Sequence, residues 1–213
     1  MKIAILSLSF LFFLSCKKEE KRSLTPNAKN DSLSTVQEPE SIKNDSIKTI
    51  ADIKKEYAVI NGLVDSKKLD STTFNYYCNE REGEVTFYYQ DKKLRMVKDF
   101  YAEHSHFSTF TKYFVKDDHV FFIFNDETVW NFDEGGTPEK PETKDDIKEK
   151  RIYILDNKAV QCFEKNYSIR SKGNNQDPNS VANRETKCDT SEYMRQYERL
   201  MKNKNKKGDL GCL

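Results

Sequence analysis

No stretch of this chain is long and apolar enough to cross a bilayer as a helix. The longest, Ile3 to Leu14, stops well short of the roughly 20 residues that a span needs. Charge of one sign is also missing: Lys and Arg number 36 against 35 Asp and Glu, which removes the general electrostatic case for nucleic acid. Cysteine never occurs as C-x-x-C, so that hallmark spacing of metal thiolates and redox dithiols is absent. No G-x-S-x-G elbow presents a serine nucleophile, and no G-x-x-x-x-G-K-S/T loop cradles phosphate. Gly135-Gly136 lie in an acidic, proline-containing loop that would repel an anion. Paired acids such as Asp117-Asp118 and Asp145-Asp146 read as turns and solvated loop charges. Two carboxylates on facing cleft walls, as a glycosidase needs, are not a pattern that sequence displays.

What is present begins with a leader. Lys2, the apolar run, then Ser15 and Cys16 ahead of an abrupt switch to charge have the order of a secretory signal. Phe13-Leu14-Ser15-Cys16 resembles the lipobox of bacterial lipoproteins, with Phe13 where Leu is usual. The resemblance implies a signal peptide over residues 1–15 and lipidation of Cys16 by two or three chains, palmitate among them. One chain would hold only marginally, at about 0.8 kcal/mol per buried methylene. The plainer alternative is an ordinary signal peptide cut elsewhere. Lys17-Lys18-Glu19-Glu20 looks like the surface-export signal of lipoproteins from Bacteroidota, and a composition rich in Lys, Asn, Tyr and Phe but poor in Gly and Pro fits such a source. A solvated linker would read the same way. The expected location is the outer membrane, lipid-anchored, on the cell surface or the periplasmic face.

Residues 16–44 comprise Cys16 and a polar segment with apolar side chains only singly. Such a segment cannot offset its chain entropy by burial and is expected to be disordered, a tether spanning roughly 30 Å. Residues 45–213 then suit one domain with a flexible C-terminal tail. The basic tail of Lys202, Lys204, Lys206 and Lys207 reads as a frayed helix end.

The fold class expected is α+β, mainly β: an antiparallel meander with an N-terminal covering helix and a C-terminal helix. Ile47, Ile50, Ile53, Tyr57, Ile60 and Val64 recur at helical spacing, predicting a helix at 46–61 capped by Asn44 or Asp45 and ended by Asn61-Gly62. Period two follows over 72–78, 84–90 and 94–98, with a turn at Asp91-Lys92. Residues 109–116 and 119–125 flank Asp117-Asp118, with a short continuation over 128–132. After a loop over 133–148, strands at 151–155 and 159–164 flank Asp156-Asn157-Lys158. Links this short demand antiparallel pairing. Val120 to Phe124 is apolar on both faces, so that strand should be central and covered twice. The second cover is a helix over 191–202, and a sheet left uncovered would present an aromatic binding surface.

Four cysteines remain beyond Cys16, an even number that reads as two disulfides. Cys162 with Cys188 is favoured, because Cys162 ends a strand and Cys188 closes the polar loop after it, worth about 3–4 kcal/mol in loop entropy. Cys78 with Cys212 would staple the tail to the first strand. All three histidines fall between 104 and 119. His119 sits at a turn roughly 33 Å along the strand from His106, which leaves His104, His106 and Glu127 as metal candidates, a set that suits zinc or non-haem iron. Polar loop residues at a sheet end are the plainer reading, and the metal and cofactor expectation is none.

Gly83 to Tyr89, Lys112-Tyr113-Phe114, Lys150 to Ile154 and Gln161 to Lys165 resemble uncharacterised small lipoproteins of Bacteroidota. That resemblance implies a β-meander and brings no activity or site residues. No catalytic residue is assigned. The function expected is a lipid-anchored binding or interaction module without enzymatic activity, its partners the membrane through Cys16 and a protein, peptide or glycan, with no nucleic acid. The alternatives are a metal-dependent hydrolase using His104 and His106, and a structural or assembly lipoprotein of the envelope.

Overall fold

Thr49 starts the first helix, through a capping box: its hydroxyl accepts from the Asp52 backbone N–H, while the Asp52 carboxylate accepts from the Thr49 backbone N–H at 2.9 Å. The computed structural model describes residues 46–213. The leader, Cys16, the linker and the cap expected at Asn44 or Asp45 lie outside the described residues. Helix α1 runs Ile50–Asp65, four residues later at each end than the predicted 46–61. Asn61-Gly62 does not stop it. The Asn61 amide donates back to the Tyr57 carbonyl at 2.9 Å, and Val64, one turn on, still packs on the core.

Nine strands form one sheet: β1 (Asp70–Cys78), β2 (Arg81–Gln90), β3 (Lys93–Glu103), β4 (Phe107–Lys116), β5 (His119–Phe132), β6 (Thr143–Leu155), β7 (Lys158–Arg170), β8 (Arg184–Glu185) and β9 (Gly208–Leu210). Their order is β8-β7-β6-β5-β4-β3-β2-β1-β9. The meander is antiparallel from β1 to β8, as the short links required, and among the described residues only β9 pairs in parallel, beside β1. Asp91-Lys92, Asp117-Asp118 and Asp156-Asn157 all have positive φ, which two-residue turns need to match the strand twist. These three turns share one end of the sheet.

Side chains alternate between two covered faces. On one, Ile53 and Ile60 of α1 pack with Met96, Phe114, Phe122 and Tyr153. On the other, Tyr197 and Leu200 of α2 (Ser191–Asn203) close over Phe87, Val97, Tyr113, Val115, Ile123 and Ile152. Strand β5, apolar on both sides, lies between these layers as its sequence required. Cys162 pairs with Cys188 and Cys78 with Cys212, although Cys162 lies mid-strand because β7 continues to Arg170. Gly83 is needed where it stands: the Tyr76 ring lies across it, and a Cβ would meet the ring at 2.2 Å.

Candidate functional site

At the sheet end opposite the three tight turns, the α2 face changes character. Val97, Tyr113, Val115 and Ile123 are apolar and buried near the hairpins. Further along the same strands and on the same face come Asp99, Thr109, Thr111 and Asn125, polar and equally buried. They floor a cleft of about 860 Å³, within the size of small-molecule sites. Glu192, Tyr193, Gln196 and Arg199 of α2 form one wall. Arg81, Glu103 and His104, near the β1–β2 and β3–β4 turns, lie along another side. Cys78 and Leu213, held by the Cys78–Cys212 link, close a third side.

The floor is hydrogen-bonded in two sets, one centred on Asn125 and one on Asp99. Asn125, 3 % exposed, donates from its amide to the hydroxyls of Thr109 at 3.0 Å and Thr111 at 3.1 Å. Its carbonyl accepts from the Tyr193 hydroxyl at 3.1 Å. The Asp99 carboxylate accepts from Tyr76 at 3.3 Å and from Gln196 at 3.0 Å. Burial pushes Asp99 above the usual carboxylate range, against the lowering effect of Gln196 and Tyr76. Burial likewise raises the phenols of Tyr76, Tyr113 and Tyr193, and takes Tyr197 to about 12. At the rim, Arg81 pairs with Glu103 at 2.8 Å and lies 4.7 Å above the Tyr101 ring.

The Asp99 shift has a direct consequence. A folded state that holds a proton which the unfolded chain has released makes stability fall with rising pH. That contribution is present below the ordinary value of 3.8 and is lost as pH rises through the raised one. Asp99→Asn, whose carbonyl still accepts from Tyr76, should flatten that limb of a pH series of urea unfolding. Superimposable profiles for the two proteins would assign the limb elsewhere.

The metal candidates are not brought together. His104 and Ser105 occupy a left-handed turn, with φ of 55° and 35°, so they do not project from an extended chain as a ligand pair with His106 would need. His104 contacts Glu80 and lies 3.6 Å from Glu103. Counting back from the turn at Asp117-Asp118 without interruption would set His106 across from Val129, but a bulge between Phe114 and Val115 puts Phe107 there instead. One residue of slip exchanges faces. The His106 ring therefore rests 4.8 Å from Trp130, while Glu127 lines the cleft on the other side. Among the described residues no group of three His, Cys, Asp or Glu is placed to hold a metal ion. His119 remains at its turn, bonded to the Asp117 carbonyl at 2.6 Å.

In the sequence β3 reads as ending at Lys98, which hides Asp99 and Tyr101, while Tyr76, Asn125 and Gln196 lie inside expected elements with nothing local to mark a cleft. The available signal was the switch from apolar to polar at alternate positions of β3, β4 and β5, at similar distances from their turns. Compared with family models, curated proteins and solved structures, the chain matches none.

Proposed function

We propose that this chain is a non-enzymatic binding module, held at the outer membrane by lipid on Cys16, and that the cleft beside α2 seats its ligand. The observation that carries this reading is a concave site floored by buried polar groups that are each hydrogen-bonded to neighbours. Asn125 and Asp99 are locked by their neighbours, so the floor is rigid before any ligand arrives, which lowers the ordering cost of binding. The leader and the likeness to small lipoproteins of Bacteroidota supply the location, and a tether over residues 16–44 would let the module stand clear of the lipid.

A photo-crosslinking side chain at Glu127, in the cleft, should capture a partner in intact cells. The same group at Val59, exposed on α1 across the sheet, should not. Equal capture at both positions, or none at Glu127, refutes the reading. Cys16→Ala should move the protein out of the membrane fraction, and retention there would refute the anchor.

A further inference from the structure

We infer that the ligand of this cleft is a neutral oligosaccharide. The inference rests on the cleft being the binding site and names what it takes. Tyr113 is 1 % exposed, yet its hydroxyl has no hydrogen-bond partner among the described residues, although the residue lines the cleft. Burial raises its phenol, and Asp99, Tyr193, Glu192 and Tyr76 nearby raise it further. The oxygen itself is not sealed from solvent, so within the cleft it is an open position for whatever occupies the site.

The other uncommitted groups define the chemistry. Glu127, Lys150 and Arg199 line the cleft, and their side chains form no ion pair or hydrogen bond among the described residues. Lys150 stands 6.0 Å over the Tyr193 ring. Thr111 accepts from Asn125, which leaves its own proton to give. The site thus offers a carboxylate acceptor, two cationic donors and two hydroxyls that act either way. A ligand of one charge sign would leave part of this set opposed. A polyol, whose every hydroxyl both donates and accepts, matches all of it, and the tyrosine rings supply apolar faces for sugar C–H groups. An extended peptide docks most readily by adding to a strand edge, but this floor is a sheet face whose backbone groups are already paired.

The full-length lipidated protein in detergent is screened against an array of neutral oligosaccharides built from hexoses and N-acetylhexosamines, beside acidic oligosaccharides and a hexapeptide library. The neutral class should bind. Affinity of the best neutral saccharide, measured by calorimetry, should fall roughly two- to tenfold in both Tyr113→Phe and Glu127→Gln, the range for one lost hydrogen bond. Tyr113→Phe should melt no lower than wild type, because its hydroxyl has no protein partner to lose. Binding confined to peptides or acidic saccharides overturns the assignment, as does neutral-saccharide affinity unchanged in both variants. Capture of a protein through Glu127 without saccharide binding would overturn this inference and leave the binding reading standing. Failure of every ligand class together with failed capture removes both.

Discussion

In a Cys78→Ser, Cys212→Ser double variant the thermal midpoint falls by roughly 6–20 °C, the consequence of losing about 3–5 kcal/mol. The two cysteines are 134 residues apart, so their link removes more freedom from the unfolded chain than Cys162–Cys188, whose separation is 26. The native side suffers too. Strand β9 has three residues, pairs in parallel with Phe74–Tyr76, and gains one side-chain bond, Asn75 to Asp209 at 3.1 Å. Without the covalent tie that strand should open, and Leu213 with it, so hydrogen exchange at Phe74–Tyr76 should quicken. A variant with an unchanged midpoint and unchanged exchange would show that noncovalent contacts alone hold the tail.

Removing a single carboxylate on the other face should cost a similar amount. Glu149 is buried and accepts from the Tyr167 hydroxyl at 2.8 Å, with Lys165 at 3.2 Å and Arg151 also on it. Lys165 is itself only 7 % exposed, with a second bond to the Pro178 carbonyl at 3.0 Å. Glu149→Ala strands that ammonium and should destabilise by about 3–5 kcal/mol in chemical unfolding. A double Glu149→Met, Lys165→Met variant should recover much of the loss, since the penalty is the unpaired charge and not the missing pair. Additive losses would refute the coupling. Burial pushes the Glu149 carboxyl up, but Tyr167, Arg151 and Lys165 together hold it below its ordinary value of 4.5. Its contribution is therefore present above that value and lost as pH falls through the lowered one.

The fate of this network in the sequence explains what could be read and what could not. Thr143 to Lys150 is a run of charge that reads as solvated loop, and it is strand because its charges ladder across neighbours: Lys148 with Glu164, Glu149 with Lys165, Asp146 with Ser168. Alternation of hydrophobicity cannot signal a strand stabilised that way. Where burial is apolar the pattern was plain, as in the Ile stripe of α1 and the two-faced run Val120 to Phe124. The hairpin turns announced themselves through Asp and Asn. The cleft was illegible because its floor comes from three strands whose polar residues meet only when the register is right, and the bulge beside Phe114 shifted that register by one. The same slip made His106 and Glu127 look like neighbours. The even cysteine count pointed to two disulfides, and the loop that Cys188 closes favoured its pairing with Cys162.

The long strands β7 and β1 are each partly covered by a short outer strand tied back in the same manner. The short β8 lies along β7, and the chain after it is tied back to that strand through Cys188. The short β9 lies along β1 and is tied through Cys212. An uncovered strand edge invites pairing with another chain, and strands of 9 and 13 residues would be long templates. The oxidised cysteines thus hold in place the short strands that cover Phe163–Glu164 of β7 and Phe74–Tyr76 of β1. Reduction would release both covers together and lengthen the open edge on each side of the sheet.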